Sequence, residues 1–189
     1  GAAWTRMDGQ TTADRAAVWG LVASEVYAVG GSSAFMLFNG SNWIHLDPPA
    51  SSLALTGLYG DSSSNLFLVN SDGGTAPQWN GVDWVTHTTK NTDGSNGIWG
   101  VNALDIFAVG AGGKISHFTG DTTWDLMGSP TSRNLNGVWG SSGTNVFAVG
   151  DNGTIVHYDG TSWSLMSSPT TVNLRSVWGS SGSNVFAVG

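Results

Sequence analysis

Asn136-Gly137-Val138-Trp139-Gly140, followed after a short Ser/Gly turn by Asn145-Val146-Phe147-Ala148-Val149-Gly150, is the stretch whose reading decides the fold. It occurs five times, centred on Val18-Trp19-Gly20, Leu58-Tyr59-Gly60, Ile98-Trp99-Gly100, Val138-Trp139-Gly140 and Val177-Trp178-Gly179. The glycines step by 40, 40, 40 and 39 residues. A fixed period of about 40 residues, built from short apolar runs between Gly/Ser/Asn/Asp turns, is the signature of an array of four-stranded blades. The sequence therefore predicts an all-β chain, a five-bladed β-propeller.

Working outward from the quoted stretch, each repeat supplies four strands, a to d. In the fourth repeat these are Val138-Trp139, Val146 to Val149, Ile155-Val156-His157-Tyr158 and Trp163 to Met166, and the first three repeats follow the same order. Strand b is apolar at four consecutive positions, as expected of a strand covered on both faces. Strand d alternates and is expected at the wet outer edge. Asp151-Asn152-Gly153 predicts a tight b–c hairpin with two consecutive positive φ angles. Pro77 in strand c is expected at a bulge or facing away from its neighbour, where its missing N–H costs nothing. An aromatic residue opens strand a of every repeat and a Trp opens every strand d. Each such ring removes about 150–250 Å² from water when buried, which makes these rings the expected core.

The repeats fall at about 9–47, 48–88, 89–128 and 129–167, within one domain over 1–189. The last blade runs over 168–189 plus 1–8, because Ala3-Trp4-Thr5-Arg6-Met7 matches the strand d of Ser162-Trp163-Ser164-Leu165-Met166. Uniting the two ends in one blade leaves no sheet edge but lacks one strand c, which the reading assigns to a longer chain or to another copy.

Of the 189 residues 6 are Lys or Arg and 13 are Asp or Glu, a formal charge of −7, and Glu25 is the single glutamate. No basic patch exists to neutralise a row of phosphates, which argues against nucleic acid and an anionic membrane surface. Cysteine is absent, excluding disulfides and thiol chemistry. No apolar run approaches the roughly 20 residues that span a bilayer. A surface of Ser, Thr, Asn and Gly with little Lys or Glu is read as that of an extracellular or periplasmic bacterial protein, its export signal removed.

The run Val146 to Ile155, with Tyr158-Asp159-Gly160-Thr161-Ser162-Trp163, resembles the repeats of Asp-box (BNR-type) β-propellers, and within them propellers related to photosystem II assembly factors. Only Asp159 keeps the Asp of the box; Asn39, Asn80 and Thr119 replace it. The resemblance implies a propeller in which these boxes are structural turns. It does not select among the sialidases, lectin-like binders and assembly factors that share such repeats.

Candidate site residues are three. His117 and His157 share one position of strand c in adjacent blades, where Leu37 and Gln78 stand in the first two, and are read either as ligand contacts between blades or as polar residues of a half-exposed strand. Trp79 stands where Phe38, Phe118 and Tyr158 stand elsewhere; it offers a platform for a sugar ring, or it fills space freed by Ala76 and Pro77. No metal-ligand spacing, cofactor motif, arginine cluster or Ser-His-Asp grouping emerges, so no enzyme, cofactor or metal is expected. The expected function is a non-catalytic protein-interaction scaffold with a protein or glycan partner. The alternatives are a carbohydrate-binding propeller and a repeat segment that completes its blades with other chains as a homo-oligomer.

Overall fold

The computed structural model describes residues 14–32, 34–47 and 53–189. The expected N-terminal strand d with Trp4 lies outside the described residues. The chain forms eighteen strands among these residues, each overlapping an expected one. The first repeat gives β1 (Arg15–Val22), β2 (Glu25–Gly30), β3 (Ala34–Phe38) and β4 (Trp43–His45). The second gives β5 (Leu55–Ser62), β6 (Asn65–Asn70), β7 (Thr75–Trp79) and β8 (Trp84–Thr89). The third gives β9 (Ser95–Asn102), β10 (Asp105–Gly110), β11 (Ile115–Phe118) and β12 (Thr123–Met127). The fourth gives β13 (Leu135–Ser142), β14 (Asn145–Gly150), β15 (Ile155–Tyr158) and β16 (Trp163–Leu165), and the fifth β17 (Ser176–Ser181) and β18 (Asn184–Val188).

Within a repeat, neighbours in sequence pair antiparallel. The predicted hairpin at Asp151–Gly153 is a single 3-10 turn with Asn152 at φ 55° and Gly153 at φ 68°. A Cβ on Gly153 would also strike the Thr170 carbonyl, so only glycine fits there. The β6–β7 ladder carries Leu66 opposite Trp79 and Phe67 opposite Gln78 and stops at Pro77, whereas the ladders β10–β11 and β14–β15 run on through Ser116 and Val156 at the same position; the expectation that the missing N–H costs nothing is not met, because Pro77 has no N–H to continue the pairing. One feature differs from expectation. The outer strands β8 and β12 are not both free edges; they pair in parallel through Thr88–Thr123 and Thr89–Trp124, joining the second and third blades into one eight-stranded sheet.

The hydrophobic core lies between blades. One cluster unites Phe107, Val109 and Ile115 of the third repeat with Leu135, Val138, Val146, Ala148, Val156 and Trp163 of the fourth. The same alternation builds the joint of the second and third repeats from Phe67 and Val69 with Ile106, Ala108, Phe118 and Trp124. The strand d rings Trp124 and Trp163 are buried as expected. The strand a rings of the first four repeats are only half-buried, and each lies on the glycine of the next repeat's aromatic-Gly pair, while Trp178 of the fifth is 60% exposed. A Cβ on Gly100, Gly140 or Gly179 would stand 2.6–2.7 Å from the ring of Tyr59, Trp99 or Trp139, respectively.

Each a–b ladder of the first four repeats carries a bulge near its start, skipping Asn136 in β13 for instance. A bulge re-aims its side chain. Here it points across the joint: the Asn96 amide donates to the Leu135 carbonyl at 2.9 Å, the Asn136 amide to Leu174 at 2.8 Å, and the Thr56 hydroxyl to Ser95. These a strands line a central hollow of about 380 Å³ whose wall includes Thr56, Asn96, Asn136 and Arg175.

Candidate functional site: an aromatic cleft at the first joint

The belt of cross-joint bonds has no donor in the first repeat, where Ala16 stands at the bulge position. The first joint is packed through Tyr27, Val29 and Phe35 of one blade and Leu55, Leu58, Leu66 and Leu68 of the next.

The first joint also opens outward. In the third joint Phe107 is roofed by Tyr158 and Trp163, with ring centroids 5.8 and 6.3 Å away, and Trp163 donates from Nε1 to Met127 Sδ at 3.4 Å. The corresponding rings of the first joint, Trp79 and Trp84, are only partly buried, and a cleft of about 490 Å³ opens beside them, lined from both blades. Tyr27, Phe35, Leu37, Leu46, Trp79 and Trp84 form its apolar wall, and Asp47 and Ser63 add polar groups. The rings brace one another: Phe35 meets Trp84 edge-on at 5.7 Å, and Trp79 meets Trp84 at 5.6 Å. The Tyr27 hydroxyl donates to Glu25 Oε1 at 2.9 Å, and burial, followed by that carboxylate, pushes its pKa well up, so the phenol keeps its proton.

A repeated side-chain bond explains the strand c polar residues. Asn65 Oδ1 accepts from Gln78 Nε2 at 2.8 Å, His117 Nε2 lies 2.7 Å from Asp105 Oδ1, and His157 Nε2 lies 2.6 Å from Asn145 Oδ1. Each imidazole also lies over the strand b ring, His117 on Phe107 at 4.2 Å and His157 on Phe147 at 4.5 Å. In the first blade Leu37 cannot make this bond, and Tyr27 takes Glu25 instead.

Of the residues singled out from sequence, Trp79 lines the aromatic cleft, His117 is tied into the third joint, and His157 lines a hollow of about 690 Å³ beside the fifth repeat. They lie at three different joints and form no common site. Sequence reasoning missed Tyr27, Phe35, Leu46 and Trp84 as cleft residues. The signal was the break in the polar row at Leu37, joined to the loss of the bulge donor at Ala16. Among the described residues no group of three or more His, Cys, Asp or Glu side chains is placed to hold a metal ion. The Asp-box-like positions act as turns: Asn39, Asn80 and Asp159 each accept two backbone N–H bonds at 2.8–3.0 Å, and these bonds hold the Asp159 carboxyl below its ordinary range.

Strand order, joints and central hollow together decide the architecture. The chain is a β-propeller. No family model matches it, and no curated protein matches it in sequence. Among solved structures it is similar to YCF48 from Cyanidioschyzon merolae, at 18% identity and a TM-score of 0.70, over 97% of this chain and 66% of that one. It is similar to YCF48 bound to D1 peptide at 17% identity and a TM-score of 0.74, over 99% of this chain and 65% of that one. The WD40 propeller domain of Doa1 follows at 13% identity and 0.69, over 87% of this chain and 57% of that one. The propeller is thus similar to those of photosystem II assembly factors, and this chain spans just under two thirds of the length of either YCF48 chain.

Proposed function

We propose that this propeller is a non-catalytic protein-binding module, and that it holds an apolar or aromatic side chain of a partner peptide in the cleft between its first two blades. The observation that carries the reading is the half-open cleft of Tyr27, Phe35, Trp79 and Trp84, about 490 Å³ in volume. Binding pockets of about 300–1,000 Å³ with apolar walls and few polar groups are the ordinary form of a recognition site. Trp is among the side chains that most often anchor an interface, and Trp79 and Trp84 are partly exposed here while Tyr27 is buried. The cleft's polar complement is one carboxylate, one hydroxyl and a phenol that keeps its proton, which makes no acid–base pair for catalysis. YCF48 is a propeller of this fold that has been solved bound to a D1 peptide, and this supports a peptide partner for the present chain.

A sugar ring is the second reading, favoured by the half-exposed face of Trp79 beside Asp47 and Ser63. Extracellular or periplasmic location belongs to the proposal and rests on composition.

Panning a random peptide library on the whole chain, with counter-selection on Trp79→Ala, tests the proposal. Enriched peptides with a shared aromatic or large aliphatic residue, weakened about tenfold or more by Trp79→Ala, are expected. Equal binding to both chains, or binding confined to glycans, would overturn it.

A further inference from the structure

The two ends of the strands differ in charge. In each complete blade four consecutive strands run antiparallel, so the a–b and c–d turns lie at one end and the b–c turn and the d–a connection at the other. The a–b turns of successive blades join into one face. The Asp61 carboxylate accepts from the Ala103 backbone N–H of the next blade at 3.1 Å, and a Cβ on Gly143 of the fourth blade would strike the carboxylate of Asp105 in the third.

That face carries Glu25, Asp61, Asp83, Asp105, Asp121 and Asp159 on its turns. Asp61, Asp83, Asp121 and Asp159 are exposed, and Glu25 and Asp105 are half-buried, the latter met by His117 Nε2 at 2.7 Å. Among the described residues every Lys and Arg stands at the other end of the strands, at Arg15, Lys90, Lys114, Arg133 and Arg175. Lys114 there pairs with Asp93, and Arg133 donates to the Asn152 carbonyl at 3.3 Å. The formal charge of −7 is therefore not spread evenly; the face of a–b and c–d turns is negative without a compensating cation of its own.

The aromatic cleft of the first joint reaches this face. Ser63 of an a–b turn lines it, as do Trp79 and Trp84, which flank the c–d turn of the second blade. Asp83 directly precedes Trp84, and Glu25 takes the Tyr27 hydroxyl at 2.9 Å. Asp47 is the charged residue on the cleft wall, which holds no Lys or Arg. Val22 and Val82, on turns of the same two blades, are 58% and 76% exposed and add apolar surface to the face.

We propose that the partner recognised here is a cationic protein segment, an aromatic or large aliphatic residue flanked by Lys or Arg. The apolar side chain enters the cleft, and its basic neighbours lie along Asp47, Glu25 and Asp83. This inference rests on the reading of the Trp79 cleft given above and adds the chemistry of the partner. Charge complementarity selects the occupant: an acidic segment would be repelled by the face that surrounds the apolar site. A basic side chain beside Trp79 also gains from the negative face of the indole ring.

Three synthetic peptides of equal length test it, each centred on one tryptophan and flanked by Lys, by Ser or by Glu. Their binding to the whole 189-residue chain is followed by fluorescence anisotropy. At about 50 mM salt the Lys-flanked peptide should bind at least about tenfold more tightly than the Glu-flanked one, and the gap should narrow at about 300 mM as the charges are screened. Asp47→Asn combined with Asp83→Asn changes two exposed carboxylates to isosteric amides. It should reduce the Lys preference about threefold or more and leave the Ser-flanked peptide unchanged, whereas Trp79→Ala should weaken all three. Binding that depends on Trp79 but shows no preference for Lys, or prefers Glu, would overturn this inference and leave the cleft reading standing. Lys-selective binding undiminished by Trp79→Ala, or no saturable binding of any of the three at millimolar peptide, would overturn both.

Discussion

His87 shows how a single side chain can tie a joint. It is buried at the second joint, with Nε2 2.6 Å from Gln78 Oε1 and its ring edge-on to Phe118 at 4.9 Å. Gln78 spends its amide N–H on Asn65, so the imidazole donates from Nε2 to Gln78 Oε1. Burial lowers its pKa from the ordinary 6.5, opposed by the backbone at Thr122 and Asp121. The folded chain therefore binds fewer protons at this site than the unfolded one, so the neutral ring's contribution is intact above pH 6.5 and is lost as pH falls below it. Denaturant midpoints at pH 7.5 and 5.5 should drop more for the native chain than for His87→Gln. Glycine seats make a second case. A Cβ on Gly140 would lie 2.6 Å from Trp99 Cη2, whereas one on Gly128 meets nothing within 4 Å. Gly140→Ala should cost about 1–3 kcal/mol by overpacking and Gly128→Ala within about 0.5 kcal/mol, both read from chemical denaturation.

At the scale of the element, strand order and joint packing were legible because period and apolar pattern are local signals. Four apolar positions in a row at Val146 to Val149 identify a strand covered on both faces, and that strand is buried between blades. The bulge at Asn136 and the parallel pairing of β8 with β12 were not legible, since both depend on how two blades meet. Lys90 pairs with Asp125 across the β8–β12 seam, but the two side chains are 60% and 67% exposed. Lys90→Ala should therefore change stability by less than about 1 kcal/mol. Trp163→Ala, which empties the roof of the third joint, should cost about 3–5 kcal/mol. Amide exchange should rank the sheets likewise, with β17 and β18 opening at lower free energy than β13 to β15, because among the described residues Phe186 and Val188 lack the cover that Phe147 and Val149 have.

For the molecule as a whole, five copies of one aromatic-Gly motif build a wheel whose core is distributed among its joints, and local departures from the repeat create places to bind. Ala16 removes the cross-joint donor and Leu37 removes the polar tie, and the first joint is where Tyr27, Phe35, Trp79 and Trp84 line an open cleft. Trp79 could be singled out from sequence because it breaks a column of Phe and Tyr. Its partners could not, because they fit their own columns and only the looser joint exposes them. His117 and His157 were conspicuous for the opposite reason: they repeat, and what repeats here is the internal tie to Asp105 and Asn145.

The most direct measurement of the account is a titration of the whole chain with a library-selected peptide, followed through the indole N–H resonances of its tryptophans. Recognition in the first joint predicts saturable shifts of Trp79 and Trp84, with those of Trp124 and Trp163 unmoved. Shifts confined to tryptophans away from that cleft, or binding that persists undiminished in Trp79→Ala, would contradict it.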